Sequence, residues 1–155
     1  MSGSLLRRAA LALLLSGALA AGADPGDEEG SGDPEYVRGR QAIEAKDWQG
    51  AVRLLSSAAL RDTRNADIQN YLAYAYRNMG EMPLAFKHYS RALQLDPRHR
   101  GAHEYLGEAY LMINNLAKAE EHLAALRRIC LLPCAEYGHL EKKLTEYRRA
   151  SAIRP

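Results

Sequence analysis

The chain has 155 residues, enough for one domain with a real core and too few for two comfortable ones. Hydrophobic residues make up 47% and charged residues 26%, the balance of a soluble globular protein. The formal charge of +2 includes Arg7 and Arg8; without them 19 basic residues face 19 acidic ones, which removes the electrostatic argument for a nucleic-acid partner.

Arg7 and Arg8 form a basic start, and Ala9 to Ala20 is an Ala/Leu run broken only by Ser16 and Gly17. Ala18-Leu19-Ala20 and Ala21-Gly22-Ala23 both satisfy the small-x-small rule for signal cleavage. A helix over residues 9–23 would reach only about 22 Å, against about 30 Å of bilayer hydrocarbon. The segment 1–23 therefore reads as a cleaved Sec-type signal peptide, with no stable membrane insertion afterwards. No cysteine follows the apolar run, so a lipid anchor is not indicated. The Ala/Leu/Gly/Arg-rich style points to bacterial export into the periplasm, with a eukaryotic secretory origin as the alternative. Residues 24–33, DPGDEEGSGD, hold five acids, no base and no large apolar residue, and are predicted to be a disordered leader.

From Pro34 onward apolar residues recur at helical spacing. Helices are predicted near 34–46, 48–61, 66–79, 82–95, 100–113 and 116–130. Asp33-Pro34 starts the first, Gly80 and Pro83 punctuate the middle, Asp96-Pro97 ends the fourth, and Asn114-Asn115 supplies a turn. A seventh, near 135–149, carries Tyr137, Leu140, Leu144 and Tyr147 on one face, within a C-terminal cap and tail spanning 132–155.

The helices repeat. Ala51, Ala85 and Ala119 are equally spaced, since 85 − 51 and 119 − 85 are both 34. The same interval links Gly39, Ala73 and Gly107; Ala42, Tyr76 and Tyr110; and Trp48, Met82 and Leu116. Leu55, Tyr89 and Leu123 keep it too, as do Ala58, Ala92 and Leu126. On these residues the chain resembles the tetratricopeptide repeat family. The match is fullest in the middle unit, with Leu72-Ala73, Tyr76, Gly80, Ala85, Tyr89, Ala92, Leu95 and Pro97 in order. Thr63 and Leu131 stand where the outer units would carry the closing proline. The resemblance implies an all-α solenoid of three helix pairs, about 32–65, 66–99 and 100–131, with the last helix capping the array.

It also implies a concave groove for a polypeptide partner, lined by the first helix of each unit. The corresponding residues are Tyr36, Arg40 and Ile43; Asn70, Tyr74, Arg77 and Asn78; and Glu104, Glu108, Leu111 and Met112. Asn70 and Asn78 could meet peptide amides, and Tyr74 offers a flat apolar contact with a polar tip. The family's clamp for a terminal carboxylate is missing: Arg40 replaces its Asn, and Glu104 and Glu108 would repel such a ligand, favouring one with Lys or Arg. The alternative is a structural or self-associating subunit.

Export gives Cys130 and Cys134 an oxidising compartment, which favours a disulfide pinning the cap, worth about 2 kcal/mol for so small a loop. The rival reading is a periplasmic metal-handling protein using Cys130, Cys134 and His139. His99 and His103 have the spacing of a helical metal pair, but a turn position and a packing position account for both. His122, beside Glu120 and Glu121, is expected in solvent. Glu104 and Glu108 share a helix face as a hydrolase pair might, yet an open solenoid offers no walled pocket to separate their pKa values. No G-x-S-x-G, phosphate loop or C-x-x-C occurs. The reading is thus of a non-enzyme with no cofactor and no metal.

Overall fold

A computed structural model describes residues 32–152. The expected signal peptide and nearly all of the expected acidic leader lie outside them. The described residues form seven helices and no strand: α1 (Pro34–Glu44), α2 (Trp48–Arg61), α3 (Ala66–Asn78), α4 (Met82–Leu95), α5 (Arg100–Met112), α6 (Leu116–Ile129) and α7 (Ala135–Ala152). All seven were expected. The boundaries agree within two or three residues, α7 running to Ala152 rather than Arg149.

The repeat is visible in the backbone before any side chain is considered. Lys46, Gly80 and Asn114 all have positive φ, at 58°, 81° and 60°, and 80 − 46 and 114 − 80 are both 34. Each reverses the chain with the same turn bond back to the residue five before: Asp47 N–H to Ala42 O, Glu81 N–H to Tyr76 O, and Asn115 N–H to Tyr110 O, at 2.8–2.9 Å. Glycine suits that conformation and asparagine tolerates it; Lys46 carries no such signal, which is why α1 stops short of its predicted end. The second helices then start on side-chain caps, Asp47 accepting from Gly50 N–H and Asn115 from Lys118 N–H. Glu81 makes no such bond, and Pro83 at the start of α4 takes over the role of initiator.

Asp33 belongs to the fold and not to the leader. Its carboxylate caps α1 by accepting from Glu35 N–H at 2.8 Å and Tyr36 N–H at 3.3 Å, and it meets Arg61 Nε of α2 at 2.6 Å. The Arg61 hydrogen bond, helped by the two backbone donors, holds its pKa down at about 2.

Successive helices pack as pairs, and the first helices α1, α3, α5 and α7 also touch in sequence along one side. The core is a row of three clusters. Tyr36, Leu55, Ile68 and Leu72 fill the first, and Ala73, Ala85, Tyr89, Leu106 and Ala109 the second. Ala119, Leu126, Leu140 and Leu144 fill the third. Small residues recur in the sequence because helices touch there. A Cβ on Gly39 would lie 2.6 Å from Leu55 of α2, and one on Gly107 would lie 2.6 Å from Leu140 of α7.

The last contact shows what α7 is. Leu140 and Leu144 stand 34 residues beyond Leu106 and Tyr110, and both are fully buried. α7 therefore covers the third unit as expected, and does so in the register of a further first helix.

Candidate peptide-binding groove

The inner side is built on tyrosines contributed by α1, α3 and α5. Near the N-terminal end of the array, Tyr36 and Tyr71 rings lie 6.2 Å apart, with the Arg40 guanidinium over both at 6.0 and 5.7 Å. Further along, Tyr74 is wedged between Trp48 (6.0 Å) and Tyr105 (4.8 Å). Arg77 lies over Tyr74 and Tyr105 at 5.0 and 5.4 Å. Burial raises the Tyr36 and Tyr105 hydroxyls to about 12, so both rings stay neutral.

Arg77 is a floor residue. Only 9% exposed, it donates to Glu108 Oε2 at 2.7 Å and to the Tyr105 carbonyl at 3.1 Å. Arg77 and Glu108 thus form a neutral pair, so Glu108 is not a free acid for a ligand's Lys or Arg. Glu104 is 6% exposed and bonded to His139 Nδ1 of α7 at 3.0 Å. Burial raises its pKa, opposed by the His139 bond. The two carboxylates that the sequence placed on one helix face thus have separate partners. Asn78 is exposed and spends its Nδ2 on the Tyr74 carbonyl at 2.8 Å. Asn70 is 4% exposed with an unpartnered Oδ1, packed under Gly101 and out of a ligand's reach.

Past Arg77 the groove deepens into a cavity of about 620 Å³ lined by Arg77, Asn78, Glu108, Leu111 and Met112, with Lys143, Glu146, Tyr147 and Ala150 opposite. Of the sequence candidates, this space gathers those from the ends of α3 and α5. It leaves Tyr36, Arg40, Ile43, Asn70, Tyr74 and Glu104 elsewhere. The α7 residues were missed because that helix was taken only as a cap; extending the 34-residue interval through Leu140 and Leu144 would have found it. Tyr147 closes the rim by donating to Asn114 Oδ1 at 3.2 Å. Two cations and two carboxylates line the cavity, and both pairs are close, Arg77–Glu108 at 2.7 Å and Lys143–Glu146 at 3.9 Å. Its volume is in the range of binding pockets generally.

Two segments of residues match family models described as tetratricopeptide repeat, 66–99 and 87–130. The first spans the same residues as the middle unit. This chain is a tetratricopeptide-repeat protein. Solved structures of the same fold include the Yersinia enterocolitica type III secretion chaperone SycD in complex with a peptide of the translocator YopD. It is 18% identical with a TM-score of 0.64, over 77% of this chain and 91% of that one. The first repeat domain of Spaghetti (RPAP3), bound to the HSP90 peptide SRMEEVD, is 16% identical with a TM-score of 0.66, over 76% and 90%. The TPR2B domain of yeast Sti1, in its pHsp70 complex, is 22% identical with a TM-score of 0.65, over 77% and 95%. At these identities the likeness is one of fold.

Two side-chain groups near this array correct or complete the sequence reading. His122 is not in solvent. Its Nδ1 meets His103 Nδ1 at 2.9 Å, its ring stacks on Tyr110, and burial followed by the neighbouring His103 pulls its pKa down to about 4. His103 Nε2 faces the Pro97 carbonyl at 3.1 Å and must donate there, so its Nδ1 accepts and His122 Nδ1 is the donor. His99 caps α5 through Nδ1, accepting from Ala102 N–H at 3.1 Å, and reaches Asp67 at 2.9 Å. His99 and His103 therefore point at different partners. The Cys130 and Cys134 sulfurs are joined, with Cα atoms 5.9 Å apart. His139 turns instead to Glu104, and among the described residues no three His, Cys, Asp or Glu converge as metal ligands.

Proposed function

We propose that this tetratricopeptide-repeat protein is an exported interaction module that holds a polypeptide segment along α1, α3, α5 and α7 and performs no chemistry on it. The cavity at the ends of α3, α5 and α7 carries this reading. It joins apolar surface from Leu111, Met112 and Tyr147 to charges that already balance one another. A site of that kind suits an extended chain of mixed composition and gives a small ion no concentrated charge. The fold neighbours whose structures contain bound peptides support the same class of partner. Tyr74 and Arg77 form the wall and floor of the groove, Met112 an exposed contact on its edge.

A benzophenone amino acid placed at Met112, in cells of the source organism, should give a discrete crosslinked polypeptide on irradiation. The same group at Lys87, exposed on α4 away from the groove, should not. Equal adducts from both positions, or none from Met112, would place the partner elsewhere. The export half of the proposal is checked separately by the mass of the mature chain.

A further inference from the structure

The link between α6 and α7 carries an apolar tip that neither the core nor the groove uses. Leu131 is 97% exposed and Leu132 80% exposed, side by side in the ring closed by Cys130 and Cys134. The next residue is Pro133, so the tip is short and constrained at both ends. On one flank a depression is lined by Arg98, Arg100 and Glu136, and on the other by Arg127 and Tyr137. Arg100 reaches Glu136 only at 3.7 Å, and Arg98 donates weakly to the Ile129 carbonyl at 3.4 Å. Three guanidinium groups therefore collar two exposed leucines, with one carboxylate among them.

We propose that this tip docks the protein on an anionic phospholipid surface, Leu131 and Leu132 entering the acyl boundary while Arg98, Arg100 and Arg127 meet headgroup phosphates. The tip is convex, and a bilayer accepts a convex apolar shape without a matching pocket. A guanidinium pairs two donors with phosphate oxygens, and Tyr137 is the residue type found at headgroup depth. A second copy of this chain fits less well, because a two-fold contact through the tips would set arginine collar against arginine collar. The ring fixes the leucines beforehand, so little freedom is lost on insertion. The mode is attachment and not spanning: no described helix is long and apolar enough to cross a membrane. The tip precedes Ala135 and the groove cavity reaches Ala150 on the same helix, about 22 Å along, so a docked protein keeps its cavity open and this proposal stands or falls independently of the groove.

The test is co-sedimentation of the chain from Asp24 onward, which keeps every described helix, with vesicles of phosphatidylglycerol and phosphatidylcholine or of phosphatidylcholine alone. Binding to the anionic vesicles is expected, with weakening at high salt. Burying one leucine is worth roughly a tenfold change in partition, so Leu131→Ser/Leu132→Ser should lower it by roughly 100-fold. Arg127→Ala should lower it by roughly fivefold. Both sites are on the surface, and circular dichroism should show unchanged helix content. Equal partition of wild type and the leucine variant, or equal partition to both vesicle types, would overturn the proposal. So would a wild-type oligomer in light scattering that the leucine variant dissolves, since a second copy would then occupy the tip.

Discussion

Replacing Gly107 by alanine tests how closely α7 sits on α5. In an ordinary mid-helix position the change would stabilise by about 1 kcal/mol, because alanine loses less backbone freedom on folding. Here the new Cβ would lie 2.6 Å from Leu140 Cδ2 and 2.9 Å from Cδ1, against about 3.5–4.0 Å for carbon contact. Leu140 is fully buried with Ala119 and Leu126 in the same cluster, so it has little room to turn aside. Overpacking of this kind costs about 1–3 kcal/mol. The net expectation for Gly107→Ala is a loss of about 0–2 kcal/mol, or up to roughly 8 °C in Tm. Leu140→Ala alone should cost about 3 kcal/mol. The double variant should cost less than the sum, because the added methyl enters the space the leucine leaves, with a coupling of about 1 kcal/mol or more. Gly138→Ala is the control, since nothing lies within 4 Å of its Cβ, and it should be neutral or stabilising. Urea unfolding followed by circular dichroism reads all four. If Gly107→Ala stabilises as Gly138→Ala does, or the double variant is simply additive, α5 and α7 are not in the contact described and α7 is not in repeat register.

The His103–His122 pair makes stability fall with acid. His122 titrates near 6.5 when unfolded but near 4 in the fold, so between those values only the unfolded chain takes up the proton. The associated stability, on the order of 2–3 kcal/mol, is complete above about pH 6.5 and is lost as pH falls towards 4; His122→Phe, which keeps a ring on Tyr110, should flatten that part of the urea-midpoint profile. In protein recovered from the exported fraction, Cys130 and Cys134 should alkylate only after reduction, with a stability loss of about 2 kcal/mol; two reactive thiols beforehand would refute the pairing. Arg77→Ala should cost about 1–3 kcal/mol by stripping Glu108 and the Tyr105 carbonyl of a buried donor, and Arg77→Met, equally long but uncharged, should not restore it. The mature chain should begin near Asp24 or Ala21 by intact mass, and a full-length membrane-bound species would count against export.

The residues of this chain determine its helices and their repetition almost unaided. A 34-residue interval of small residues says where helices meet, because a large side chain would block the approach, and at Gly39 and Gly107 even a Cβ would. Capping residues such as Asp33, Asp47, Asn65 and Asn115 mark the starts, because local hydrogen bonds need only neighbouring residues. Lys46 escapes that logic: its left-handed turn is enforced by the packing of α1 on α2 and not by its own preference. The groove is less legible for a related reason. The resemblance to the repeat family puts Tyr74, Arg77, Asn78, Glu108 and Leu111 on the inner face. Whether a polar group there is available depends on what arrives from a helix 19 to 35 residues away. Arg77 reaches across to Glu108, His139 of α7 covers Glu104, and His103 draws His122 out of solvent. Such pairings trade desolvation against a partner of matching geometry, and neither quantity is carried by the chain position of one residue. The family resemblance marks which residues of α1, α3 and α5 face inward, and only the tertiary structure decides that α7 lines the cavity and that Arg77, Glu104 and Glu108 already have partners.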